Sequence, residues 1–148
     1  MKCKTTRLFF LSLVLCFLFT NLNGQEYEKL SFKELEQKII NKEWKINSMG
    51  RVNAIRSIEN IIDISSKFNS DQEYYLKALA YNLLGKINYS VQDYKKAIEN
   101  YKIAELFVKE VQNYPDLTID INNNIAIVYL EGYNKPGRAL QKIKLIYE

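Results

Sequence analysis

Residues 81–104, YNLLGKINYSVQDYKKAIENYKIA, hold the features that decide the fold. The stretch predicts two helices separated by a short turn, with Asp93 placed to cap the second. Gly85 lies inside the first helix, where a glycine costs about 1 kcal/mol relative to alanine. Such a glycine is compensated when another helix crosses so close that a side chain would hold the two backbones apart. We therefore expect a tightly packed pair in which Gly85 meets Ala97 and Ala104 faces the next helix.

Apolar residues recur at helical spacing over the rest of the chain from residue 30 onward, and no segment alternates as a strand would. Capping boxes at Ser31/Glu34 and Ser70/Glu73 mark two helix starts. The expected helices cover about residues 31–46, 51–67, 71–89, 94–111, 117–130 and 138–148. Because the linkers are short, successive helices should be antiparallel neighbours. The sequence predicts an all-α fold.

A repeat relates these helices. The second helix of each pair carries an alanine followed four residues later by a large residue, and the alanines are 43 and 42 residues apart. These positions are Ala54 with Ile58, Ala97 with Tyr101, and Ala139 with Ile143. In the first helices, Leu84-Gly85 aligns with Ile125-Ala126, 41 residues on. Periods of this length are typical of solenoids built from helix pairs.

The quoted stretch resembles the tetratricopeptide repeat, in its longer-period variants such as the kinesin light chain type. The matching positions are Tyr81, Leu84, Gly85, Tyr94, Ala97, Tyr101 and Ala104. The third unit matches more loosely, through Ala126 and Ala139 after a one-residue insertion, and Asn88 replaces the family's tyrosine. The resemblance implies a right-handed superhelical solenoid of about three antiparallel pairs, over residues 31–68, 71–113 and 116–148.

Residues 1–24 differ from the rest. A basic head with Lys2, Lys4 and Arg7 precedes an apolar run of residues 8–19, and small Gly24 offers a cleavage point. This layout predicts a secretory signal peptide and an exported domain of residues 25–148, either periplasmic or secreted. The run is short for a membrane span, which needs about 20 residues. Retention of this segment would instead anchor the domain to a membrane.

Composition argues against catalysis. The chain has no histidine, and both cysteines, Cys3 and Cys16, lie in the predicted signal. Histidine-based acid/base catalysis and the common zinc sites are thereby excluded, so we expect no enzyme activity, cofactor or metal. Loss of the three basic residues of the signal would lower the formal charge from +4 to +1. That charge is too small to gather nucleic acid.

The resemblance also implies a function, because the first helices of such pairs line a concave groove that holds a partner's peptide or helix. The groove positions are Leu79, Asn82, Lys86 and Tyr89 in the second unit, and Asp120, Asn123, Ile127 and Leu130 in the third. Asparagine amides can bond a peptide backbone and tyrosine can stack on a side chain. The plainer alternative is that these residues form solvated helix faces.

Two functional hypotheses follow, and an enzyme with an unusual site is a weaker third. The first is an exported, non-catalytic scaffold that binds a protein or peptide. The second is the N-terminal periplasmic sensing portion of a membrane-bound bacterial signalling regulator. The last helix, RALQKIKLIYE, has apolar residues spread around it. Either a partner or a second copy covers this helix, or the chain continues, into a membrane span under the second hypothesis.

Overall fold

The computed structural model describes residues 27–41, 50–111 and 114–147, and two compact units are distinguished along the chain. The first unit ends at Ser31. Its described residues, 27–31, make a single helical turn in which the Leu30 N–H donates to the Tyr27 carbonyl at 3.1 Å. The predicted signal peptide of residues 1–24 lies outside the described residues.

The second unit, from Phe32 onward, is built from α-helices, and its described residues include no strand. The prediction of an all-α fold is confirmed at this level. The helices are α1 (Phe32–Ile40), α2 (Arg51–Ser65), α3 (Ser70–Ser90), α4 (Tyr94–Lys109), α5 (Pro115–Ile127) and α6 (Pro136–Tyr147). Each helix that the sequence predicts has a counterpart here. The expected extension of the first helix to residue 46 falls on residues 42–49, outside the described part of the chain.

The start of α3 differs by one residue from the prediction. Asn69, not Ser70, is the N-cap, and its side chain accepts a hydrogen bond from the Gln72 N–H at 3.0 Å. Asparagine caps a helix as well as serine does, so the earlier residue takes the role. Glu73 then forms an ion pair with Lys77 at 2.6 Å. The prediction for α4 is confirmed, because Asp93 accepts from the Lys96 N–H at 3.2 Å.

A π-helical turn, Val128–Gly132, continues α5. Ala139 follows Ala126 by thirteen positions, whereas in the second repeat Ala97 follows Gly85 by twelve. A π turn holds one residue more than an α turn, so it absorbs the inserted residue without unwinding the helix. Ala126 and Ala139 are 2% and 1% exposed, so both remain buried on either side of the insertion.

The helices pack in chain order from α2 onward. Each of α2 to α5 contacts the next helix, and the contact between α3 and α4 is the most extensive. The odd-numbered helices also contact one another, α1 with α3 and α3 with α5. This arrangement places α3 at the centre of the described helices, in contact with four others. Tyr81 and Tyr94 are half-buried, and the other repeat positions of α3 and α4 are buried: Leu84, Gly85, Ala97, Tyr101 and Ala104.

The close approach at Gly85 is made by Tyr101, not by Ala97 as we expected. A Cβ placed on Gly85 would lie 2.3 Å from Cε1 and 2.4 Å from Cδ1 of the Tyr101 ring. Tyr101 is only 2% exposed, so the ring has no free space into which to move. The crossing pairs the smallest residue of α3 with one of the largest of α4. Ala97 is fully buried one turn earlier.

The asparagine that departs from the family pattern is also buried for a reason. Asn88 is 4% exposed, and its amide group donates to the Leu84 carbonyl at 2.9 Å. Its side-chain oxygen accepts from Arg51 Nη2 at 2.8 Å, which joins the end of α3 to the start of α2. A tyrosine at this position could not supply that acceptor in the same place. Asn88 therefore serves the junction between the first two pairs.

Glu105 makes the corresponding polar link between α4 and α6. Its carboxylate lies 2.7 Å from Lys142 Nζ and 2.9 Å from Lys109 Nζ, and its side chain is 13% exposed. Burial alone would raise the pKa of Glu105, but the hydrogen bonds from Lys142 and Lys109 outweigh it and lower the pKa.

We expect Gly85→Ala to lower the melting temperature by roughly 5 °C, because overpacking against Tyr101 costs about 1–3 kcal/mol and the helix propensity of alanine returns only about 1 kcal/mol. Gly137→Ala in α6 is the matched control, since a Cβ there would meet nothing within 4 Å. Thermal unfolding followed by circular dichroism measures both. Equal melting temperatures for the two variants would contradict the packing argument.

Acid should weaken the α4–α6 link. The folded pKa of Glu105 lies below the ordinary value of 4.5, so its contribution is present above that pH and is lost as the pH falls through the folded pKa. At pH 7 we expect Glu105→Gln to unfold about 1–2 kcal/mol more easily than the parent chain. The difference should shrink steadily below pH 4.5 in urea titrations at several pH values. A difference that does not change with pH would show that the charge is not the cause.

Candidate functional site

A cleft opens where the three odd-numbered helices come together. Its volume is about 230 Å³, and helices α1, α3 and α5 all contribute to its lining. The lining residues are Ile39, Ile40, Leu79, Asn82, Leu83, Lys86 and Asp120. Four of the seven are aliphatic. The other three are polar: an amide, an ammonium group and a carboxylate. Four predicted groove residues, Leu79, Asn82, Lys86 and Asp120, are thus brought together.

The apolar part of the cleft comes from α1 and α3. Ile39 is 5% exposed and belongs to the core, whereas the side chain of its neighbour Ile40 is 47% exposed. Leu79 and Leu83 of α3 are half-buried. Exposed aliphatic surface inside a concavity gains free energy when a ligand removes it from water, at about 25 cal/mol per Å². The cleft is therefore suited to receive an apolar side chain.

The polar part is already engaged within the chain. Asp120 Oδ2 accepts from Asn82 Nδ2 at 2.7 Å and from Lys86 Nζ at 2.6 Å. The other side of the Asn82 amide, Oδ1, accepts from Asn124 Nδ2 at 3.0 Å. Asn82 is 4% exposed, so it is a buried link between α3 and α5 and not a free contact for a peptide backbone. The Asp120 carboxylate thus takes up the donors of both Lys86 and Asn82.

Tyr89 is engaged as well, further along α3. Its hydroxyl donates to the Glu131 carboxylate on the π turn, and this hydrogen bond raises the pKa of Tyr89 to about 12. Its ring contacts Tyr94 at the start of α4, edge to face, with centroids 5.9 Å apart. Tyr94 in turn lies against Gly132, where a Cβ would be 2.6 Å from its ring. Tyr89 therefore fixes the π turn to the α3–α4 corner.

Asn123 and Ile127 lie outside the cleft lining. Both are exposed, and with Ile119 and Leu130 they follow one another at helical spacing along an outward face of α5 and the π turn that continues it. The three aliphatic members are 37–45% exposed. Apart from Tyr89, the predicted groove residues fall into two sets: one at the cleft around Asp120, and one, mostly aliphatic, in a stripe along α5 and the π turn.

The groove positions predicted from the sequence did not include Ile40 or Leu83, which line the cleft. Each stands beside another aliphatic residue, Ile39 or Leu84, that is buried. Adjacent residues on a helix point about 100° apart, so both members of such a doublet cannot face the same neighbour. The doublets were the available signal for an apolar surface outside the core.

The described residues contain no group of three or more acidic, histidine or cysteine side chains placed to hold a metal ion. In the same part of the chain, no helix combines the length and the apolarity that crossing a bilayer requires. The cleft offers aliphatic contact and polar groups that are already paired around Asp120.

Removal of the Asp120 carboxylate should destabilise the chain through Asn82. Asp120→Ala leaves a buried amide without its acceptor, at an expected cost of about 1–3 kcal/mol. Lys86→Ala should cost no more than about 0.5 kcal/mol, because that ion pair is exposed, at 45% for Lys86 and 43% for Asp120. Urea unfolding distinguishes the two, and Asp120→Asn, which keeps an acceptor oxygen, should resemble Lys86→Ala. A Lys86→Ala cost as large as that of Asp120→Ala would make the ion pair, not Asn82, the important partner.

Comparison with known proteins gives no relative: no protein-family model, no curated protein and no solved structure matches this chain.

Proposed function

We propose that the chain is a non-catalytic protein-interaction module of the tetratricopeptide type, exported, which binds a peptide or helix of a partner across its odd-numbered helices. The observation that carries the proposal is the cleft to which α1, α3 and α5 all contribute. In stacked helix pairs the first helices line the inner surface, and the described contacts of α1 with α3 and of α3 with α5 agree with such stacking. A right-handed solenoid of three pairs is the arrangement we propose.

The structure changes which chemistry we propose for recognition. The polar residues expected to contact a peptide backbone are paired with one another, through Asp120 and Glu131. The surface left for a partner is mostly aliphatic. It comprises Ile40, Leu79 and Leu83 in the cleft, and the stripe of Ile119, Ile127 and Leu130 along α5 and the π turn. The partner segment should accordingly present apolar side chains, and few interface residues should carry most of the affinity.

Peptide-display selection on the full chain tests this proposal. Selected peptides should be rich in aliphatic or aromatic residues, and Ile40→Asp should weaken their binding by about tenfold or more, since a charge would replace an exposed anchor in the cleft. Val52→Asp on α2 is the matched control, because Val52 is 68% exposed and lies outside the cleft. Selection of no peptide above background, or equal binding by both variants, would refute a peptide-binding cleft.

A further inference from the structure

A second cleft lies on α6, apart from the one described above. Its volume is about 380 Å³, and its lining combines one aromatic, one aliphatic, one amide and two cationic side chains. These residues are Tyr129, Arg138, Gln141, Lys142 and Leu145. None of them is acidic. The four from α6 are spaced at positions 138, 141, 142 and 145, so they form one face of the helix.

The cleft has an apolar anchor site and a positive rim. Leu145, the aliphatic residue of the lining, is 56% exposed. The Arg138 guanidinium carbon lies 5.7 Å above the Tyr129 ring, which holds the cation over an aromatic floor. Lys142 is neutralised by Glu105. Arg138 is the lining cation that has no such ion pair among those formed by the described residues.

The charge of α6 distinguishes it from the other described helices. Residues Pro136–Tyr147 carry Arg138, Lys142 and Lys144 and no acidic side chain. Helices α1, α2 and α3 each have equal numbers of acidic and basic residues. Helix α4 has an excess of two basic residues and packs against α5, which has two acidic residues and no basic one. Among the described helices, therefore, one with a basic excess already packs against an acidic one.

We propose that the α6 cleft binds an acidic helix of a partner protein, with an aliphatic side chain of that helix inserted beside Leu145. Charge complementarity favours a negatively charged partner, since Arg138 and Lys144 have no acidic neighbour on α6. The concave shape selects a protein, because a cleft accepts a protruding side chain whereas a bilayer surface does not enter one. A second copy of the chain is a poorer occupant, because Asp120 of α5, the acidic helix among those described, is already bonded to Asn82 and Lys86, so that α5 offers one acidic side chain, Asp116.

The probe is a fluorescently labelled, designed helical peptide of about 16 residues, with leucine at every third or fourth position and glutamate elsewhere. A matched peptide carries lysine in place of each glutamate. Fluorescence anisotropy with the full chain should show binding of the glutamate peptide that weakens with added salt, and about tenfold weaker binding of the lysine peptide. Absence of binding, or equal binding of the two peptides, would overturn the proposal.

Variants locate the site. Arg138→Glu should weaken the glutamate peptide about tenfold and strengthen the lysine peptide, a reversal that misfolding cannot produce. Leu145→Ala should weaken the glutamate peptide several-fold, whereas Lys95→Glu on α4 and Val52→Ala on α2, both at exposed positions, should have no effect. Ile40→Asp should also leave this binding unchanged, so the result is independent of the proposed groove. Loss of binding in Ile40→Asp would place the peptide in the other cleft and overturn this proposal.

Vesicles of phosphatidylglycerol provide the last arm. Binding of the chain to these vesicles that Arg138→Glu abolishes, together with no binding of the glutamate peptide, would assign the α6 surface to a membrane and overturn the proposed protein partner. The proposal is supported when the two peptides exchange their relative affinities in Arg138→Glu and the vesicles either do not bind the parent chain or bind Arg138→Glu equally well.

Discussion

The contact between Gly85 and the Tyr101 ring sets the distance between α3 and α4. The packing of the other helices from Phe32 onward depends on that distance. An aromatic ring needs room, and α3 provides it by having no side chain at this one position. The ring then fills the space that a wider separation would have left empty, so the pair is both close and fully packed. Because α3 contacts four other helices, its position against α4 also fixes where α2 and the odd-numbered helices can lie.

The two sides of α3 have different chemistry. Toward α4 it presents Gly85, and toward α1 and α5 it presents the residues of the cleft. The polar residues on that second side are largely used to join helices, with Asn82 bonded on both sides of its amide. Such internal pairing avoids the cost of a buried, unsatisfied amide, and it leaves the aliphatic residues as the surface available for recognition.

Helix number and type followed from the sequence, because apolar periodicity and helix starts such as Asp93 are local signals. The groove prediction identified Asn82, Lys86 and Asp120 as neighbours but not their engagement with one another. That engagement depends on where α5 lies against α3. The side-chain partners are 34 to 42 residues apart, so the spacing of neighbouring residues cannot indicate which of them pair. The place of Ile40 in the cleft was missed for a similar reason. Burial depends on how many helices pack around a position, and the spacing of apolar residues does not give that number.

The π turn at Val128–Gly132 shows how a repeat can change its length without losing its faces. One additional residue in a regular α-helix would rotate everything that follows by about 100°, which would turn Ala139 away from the core. Confining the additional residue to a single wide turn keeps the phase of α6 relative to α5. The second and third repeats therefore differ in length while their small residues keep the same angular position, since Ala126 and Ala139 are buried as Gly85 and Ala97 are.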